Sequence, residues 1–257
     1  MKILTIGDVV SDSGCDYLRQ ELPKLKRELN ADIVIVNGEN SAIGNGVLPR
    51  SAEFIFDCGA DVITLGNHSL KRREIYDYLD AQQNIIRPAN YHKSAPGRGY
   101  TIIDKGRFQA AVINLQGIVY MEQSENPFAV IDGILEKIKA LGINIIIVDF
   151  HAEATSEKKA MAFYLDGRVS ALFGTHTHVQ TSDNQILPNK TAYVTDIGMT
   201  GPYYSVLGVS PECIIEKLTT GLPVRFTNPG GPCVLEGCLF EISAETGEAL
   251  STRLIRR

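Results

Sequence analysis

The chain has 257 residues, 44% hydrophobic and 21% charged, enough for one large α/β unit with its own core and unlike a disordered or fibrous polymer. A formal charge of −5 and a pI near 5.6 exclude the basic footprint that general nucleic-acid or anionic-membrane binding needs, so any phosphate recognition must be local. Five scattered cysteines (Cys15, Cys58, Cys213, Cys233 and Cys238), an N-terminus without an apolar leader, and apolar runs as short as Ile145–Val148 predict a reduced, cytoplasmic protein without a membrane span.

Along the chain, short β-branched runs alternate with amphipathic stretches, the pattern of an α/β sheet covered on both faces. Lys2–Asp8 predicts the first strand and Cys15–Leu29 the first helix, with Pro23 expected to kink or split it. Ile33–Asn37 is the second strand, Ala52–Cys58 a helix stopped by Gly59, and Val62–Gly66 the third strand. A helix over Lys71–Asp80 leads to a strand over Asn84–Arg87. The alternation continues with strand Ala110–Leu115, helix Pro127–Ala140 stopped by Gly142, and strand Asn144–Phe150. Thr155 or Ser156 reads as the N-cap of a helix over Glu157–Asp166. Strands Ala171–Gly174 and Ala192–Thr195 precede a helix over Glu212–Leu218. After the turn-rich Asn228–Pro232, Val234–Ile242 and the tail read as antiparallel strands, so the sheet system is mixed. Without a repeat, linker or low-complexity segment, residues 1–257 are expected to form a single domain.

The polar residues fall where these strands end. Gly7-Asp8 closes the first strand, Asn37-Gly38-Glu39-Asn40 the second and Gly66-Asn67-His68 the third; Asp149-Phe150-His151 and Gly174-Thr175-His176-Thr177-His178 follow later. Strand ends are where α/β folds place their sites. A glycine beside the donors that close the first three strands is expected to let the backbone turn sharply and bring the side chain close to an ion. Of five histidines, His68, His151, His176 and His178 lie at such ends, and only His92 sits apart in a solvated loop, a distribution that points to metal chemistry.

Singly, each residue has an ordinary reading: Asp8 as a helix cap, Glu39 and Asn40 as loop residues, Asn67 as a cap, His151 as a core histidine. Together they supply oxygen and nitrogen donors suited to iron, manganese or zinc rather than calcium. Two ions roughly 3.5–4 Å apart need a shared anionic ligand, and the Glu39 carboxylate can offer one oxygen to each. His176 and His178 point the same way if their segment is regular and to different ions if it bends.

These segments resemble the calcineurin-like metallophosphoesterases, and more closely the YmdB-like family of two-metal phosphodiesterases. The resemblance runs over Ile6–Val10, Val36–Asn40, Leu65–His68, Arg87–Asn90, Asp149–Lys158, Gly174–Thr181 and Thr195–Pro202. It implies an α/β/β/α sandwich of two mostly mixed sheets flanked by helices, with two divalent or trivalent metal ions, iron first, then manganese, zinc or magnesium. By the same resemblance Asp8, Glu39, Asn40 and His178 hold one ion, and Glu39, Asn67, His151 and His176 the other. His68 is then the general acid that protonates the leaving oxygen after in-line attack by a metal-activated water. The implied substrates are phosphodiesters, including 2′,3′- and 3′,5′-cyclic nucleotides, and self-association into a homo-oligomer is also suggested. Two departures stand out. Val10 occupies the position where the wider superfamily has a histidine, with Asn40 in compensation, and Ser69-Leu70-Lys71 replaces the branch's usual Thr-Trp-Asp. Asp149, Glu153 and Asp196 are candidate partners that orient the imidazoles.

Two other readings compete. An amidohydrolase also carries a His-any-His pair near two metals, but on the first strand of a (β/α)₈ barrel, whereas here the first strand offers Asp8. A regulatory or RNA-associated protein with vestigial catalysis would have no need of so complete a ligand set.

Overall fold

The computed structural model describes residues 1–257. From the N-terminus the chain runs β1 (Lys2–Ile6), β2 (Asp8–Val9), α1 (Ser11–Leu29), β3 (Ile33–Asn37), α2 (Pro49–Asp57), β4 (Val62–Thr64), α3 (Tyr76–Ala81) and β5 (Ile85–Ile86). Then follow β6 (Tyr100–Asp104), β7 (Gln109–Gln116), α4 (Pro127–Ala140), β8 (Ile145–His151), α5 (Thr155–Leu165) and β9 (Ala171–Thr175). The last third holds β10 (Gln185–Ile186), β11 (Ala192–Val194), β12 (Met199–Pro202), α6 (Pro211–Thr220), β13 (Cys233–Ile242) and β14 (Ala249–Arg256).

Two sheets result. The eight-stranded one has the order β2-β12-β13-β1-β3-β4-β5 with β14 beside β13, and the six-stranded one the order β10-β11-β9-β8-β7-β6. Parallel ladders join β1, β3, β4 and β5 in the first, and β7, β8, β9 and β11 in the second; β13 pairs antiparallel with β1 in the first, and β6 with β7 and β10 with β11 in the second, so both sheets are mixed as expected. Neither closes into the barrel that an amidohydrolase requires.

Alternation within single strands builds the layers. Ile3, Ile33 and Ile35 turn inward to meet Val112, Ile145, Ile147 and Phe173 of the other sheet, and all are buried. Their neighbours Leu4, Ile6, Val34 and Val36 face outward under Leu18, Leu22 and Leu25 of α1 and Ile55 of α2. On the far side Ile113, Ile146 and Val148 pack under Ile131 and Ile138 of α4 and Met161 of α5. Strands covered on both faces read as continuous apolar runs, and each such aliphatic side chain contributes about 1.5–3 kcal/mol on burial. The outcome is the expected α/β/β/α sandwich. No helix is long and apolar enough to cross a membrane.

Several local expectations are corrected. The first helix begins at Ser11 rather than Cys15, because Asp8 and Val9 pair with Met199 and Thr200 and Ser11 (φ 60°) then turns the chain. Pro23 does not split the helix, which continues from Ser11 to Leu29; the Arg19 carbonyl it leaves without a helical partner belongs to an exposed residue, where water can take the bond. The helix placed over Lys71–Asp80 starts only with a 3₁₀ turn at Arg73. Arg72 stays extended because its guanidinium reaches back to the carbonyls of Ile43 (2.7 Å) and Asn45 (3.1 Å). Neither Thr155 nor Ser156 caps α5, whose first residue is Thr155 and whose N-cap is Ala154 without a side-chain bond. The stops at Gly59 and Gly142 do adopt the left-handed conformation (φ 110° and 75°).

Candidate metal centre

All eight residues singled out in the sequence come together where the C-terminal ends of β1, β3 and β4 face those of β8 and β9. Asp8, Glu39 and His151 are at most 1% exposed and Asn40 8% exposed, whereas His68 and His176 keep an open edge. Asp8 caps no helix; its Oδ2 accepts the His176 N–H at 3.2 Å. His92 lies outside, its ring bonded only to Ser94 in an exposed loop.

The glycines beside the donors do something other than turn. Gly7, Gly38, Gly66 and Gly174 all lack left-handed backbone; what they provide is space. A Cβ on Gly66 would lie 2.3 Å from the His151 ring, and one on Gly174 1.9 Å from the Thr195 carbonyl oxygen. Close approach of one strand end to another is therefore what these positions require. The left-handed residues are instead His176 (φ 100°) and His178 (φ 61°), each strained by about 1–3 kcal/mol for a non-glycine residue. That bend sends the two imidazoles to different neighbours.

The hydrogen bonds at the back of each ring fix where its proton sits. Thr175 Oγ1 donates to Asp149 Oδ1 (2.7 Å), so it can only accept from His151 Nδ1 (2.8 Å), which must carry the hydrogen. His176 Nε2 faces the Glu153 carboxylate at 3.1 Å, and His178 Nδ1 donates to the Leu207 carbonyl at 3.0 Å. Each ring, when neutral, thus turns a bare lone pair inward.

Those lone pairs converge in two adjoining groups. Around His151 Nε2 stand Asn67 Oδ1 (3.0 Å), His176 Nδ1 (3.0 Å) and Glu39 Oε1 (3.2 Å), four acceptors with no hydrogen among them. Only a cation or an extra proton can hold such a group together. In the second group Asn40 Nδ2 lies 3.3 Å from Asp8 Oδ1, 3.1 Å from Glu39 Oε1 and 3.3 Å from His178 Nε2, standing where a cation fits. Glu39 Oε1 belongs to both groups. Mixed nitrogen and oxygen donors of this kind suit a divalent transition metal, so the residues present fit metal ions.

Burial by itself would lower the His151 pKa, but Glu39, with Asp8 and Asp149 behind it, raises it to about 9. Burial and the neighbouring His151 push His176 down to about 3, so the two rings do not both charge. Glu39 stays ionised well below the usual carboxylate range despite its burial, because His151 and His68 face it. Asp149 is lifted to about 6 by burial.

His68 differs from the other three. Its backbone N–H donates to Glu39 Oε2 (2.9 Å) and its Nδ1 lies 2.8 Å from Asn40 Oδ1 and 3.3 Å from Glu39 Oε1, while Nε2 makes no hydrogen bond and the side chain is 25% exposed. It borders the groups without joining either.

Sequence reasoning missed Thr175 and Lys158, which hold His151 and the His176–His178 segment from behind. Glu153, one of the three candidate partners of the imidazoles, places its Oε2 3.1 Å from His176 Nε2, which yields a prediction. Glu153→Ala removes the group that sets the ring's tautomer and lowers affinity for divalent metal by about 10–100-fold with little loss of fold, since this carboxylate is half-exposed. Titration of the variant with Mn²⁺ checks it; unchanged affinity would show that the ring is oriented without Glu153.

The model of the family described as YmdB-like protein matches residues 4–255. A Bacillus subtilis (strain 168) protein named 2′,3′-cyclic-nucleotide 2′-phosphodiesterase is 45% identical over 255 residues, covering 99% of this chain and 96% of its own. A Mycoplasma pneumoniae crystal structure described as a novel phosphatase matches with a TM-score of 0.94 at 34% identity, over 100% of this chain and 93% of that one. Haemophilus influenzae NAD nucleotidase shares the fold alone, with a TM-score of 0.60 at 17% identity over 100% of this chain and 55% of its own. The two-sheet architecture is thus of the metallophosphoesterase type.

Proposed function

The chain belongs to the YmdB-like family, and on that premise we propose that it is a phosphodiesterase working with two metal ions, its substrates small phosphodiesters such as 2′,3′- or 3′,5′-cyclic nucleotides. The observation that carries this reading is the meeting of two groups of nitrogen and oxygen donors on one Glu39 oxygen, the His151 group with no hydrogen among its inward atoms. The name of the Bacillus relative supports the substrate class.

Asp8, Glu39, Asn40 and His178 would hold one ion, and Glu39, Asn67, His151 and His176 the other. When bound, such a pair polarises a phosphoryl oxygen and activates a water for in-line attack. His68 supplies the proton for the departing oxygen. For that task Nε2 must carry the hydrogen, and Asn40 can arrange it. Exchanging the Asn40 amide nitrogen and oxygen, which differ little in size, aims Oδ1 at the second donor group and an N–H at His68 Nδ1. His68 then accepts at Nδ1 and presents Nε2–H at the open edge of the site. We take residues 1–257 to act as one domain, and the five free thiols suit a reducing, cytoplasmic setting.

Elemental analysis and phosphodiester turnover on the same sample test the reading. We expect about two metal ions per chain and hydrolysis of both bis-p-nitrophenyl phosphate and 2′,3′-cyclic AMP, lost on chelation and restored by Mn²⁺ or Fe²⁺. Metal at 100 times its Kd should also stabilise the fold by about 2.7 kcal/mol per site, visible as a rise in Tm. A fully metallated sample that hydrolyses no phosphodiester would sink the proposal.

A further inference from the structure

Lys158 has no place in the chemistry above, yet it is wholly buried. Its Nζ donates to the Thr175 carbonyl (2.8 Å) and to Asp196 Oδ2 (2.7 Å), and Asp196 is equally inaccessible. The same Asp196 Oδ2 accepts the Thr177 N–H at 3.1 Å, and its Oδ1 accepts the Gly198 N–H at 2.9 Å. The peptide before His176 is therefore held by the lysine and the peptide after it by the aspartate. Between these two grips lies His176 in its left-handed conformation, followed two residues later by His178 in another.

A buried ion pair is weak evidence for stability, since apolar replacements of similar shape are often neutral or stabilising. Specifying one conformation among several is the role such pairs fill best. In regular extended backbone His176 and His178 would face the same way; here His176 Nδ1 lies 3.0 Å from His151 Nε2, and His178 Nε2 3.5 Å from Asp8 Oδ1. We propose that Lys158 and Asp196 form a buried clamp that bends the His176–His178 segment and so divides its two imidazoles between the two donor groups. Both are positioning residues; neither touches substrate. The claim of two ion sites rests on the function proposed above, whereas the clamp's effect on the backbone does not.

The double variant Lys158→Met/Asp196→Leu removes both charges and keeps the approximate shape, and it is to be studied metal-free by crystallography and with Mn²⁺ by calorimetry beside the wild type. The expected result is a folded protein in which His178 Nε2 has left Asp8 and Mn²⁺ binds about 10–100-fold more weakly. Loss of fold, or imidazoles that stay in place in the metal-free crystal, overturns the clamp. Displaced imidazoles together with a wild type that takes up no metal leave the clamp standing and defeat the two-ion reading instead.

Discussion

Glu39→Gln should give a folded protein that has lost its metal. The substitution is nearly isosteric, so packing at the end of β3 survives, but it removes the one negative charge whose oxygen lies 3.1 Å from Asn40 Nδ2 and 3.2 Å from His151 Nε2. Two divalent ions about 4 Å apart repel by on the order of 16 kcal/mol at an effective dielectric of about 20, and a carboxylate between them offsets much of that. A carboxamide offers one neutral oxygen to one ion. Affinity should therefore fall by more than the roughly 10–100-fold typical of an outer partner, and turnover by at least the roughly 10²–10³-fold that follows loss of one electrostatic stabiliser. The metal-free variant is expected to stay folded, because His151 no longer faces a carboxylate at this position and can remain neutral, its Nε2 pairing with the new amide N–H. Metal analysis, phosphodiester turnover and a thermal melt on one preparation decide it. Wild-type metal content would show that Glu39 does not bridge.

Why this site was legible, and its bracing was not, follows from how each is encoded. Ile33–Val36 and Ile145–Val148 are buried on both faces, so they stand out as apolar runs, and the donors after them mark where the strands stop. Their convergence follows from parallel pairing, which brings like ends together. The conformation at the donors was less visible. Nothing in His176-Thr177-His178 announces two left-handed residues of a type that rarely adopts them, so the sequence left open whether the rings share a neighbour. Lys158 did leave a trace. It falls in step with the buried Met161, Ala162 and Leu165 on the inward stripe of α5, at spacings of three, four and seven, where a lysine needs a buried partner. That partner, Asp196, lies 38 residues away, a separation the helix pattern cannot bridge. Short strands such as β10 and β12 were invisible for a related reason: two to four residues carry too little periodicity, and their pairing is set by β11, β2 and β13.

His68→Ala, in contrast to Glu39→Gln, should keep its metal and lose its rate. In the present geometry His68 touches the donor groups only through its backbone N–H and Nδ1, while Nε2 stays unbonded at the open edge, so removing the ring deletes no inward lone pair from either group. Turnover should drop by about 10²–10⁴-fold, the usual contribution of a positioned general acid. The loss should depend on the leaving group. A p-nitrophenolate departs without a proton, so hydrolysis of bis-p-nitrophenyl phosphate should suffer least; a ribose alkoxide needs one, so 2′,3′-cyclic AMP should suffer most. That contrast separates proton donation from mere disturbance of the site, which would slow both substrates alike. Elemental analysis closes the test: metal lost together with activity would make His68 a ligand, and equal losses on the two substrates would remove it as the acid.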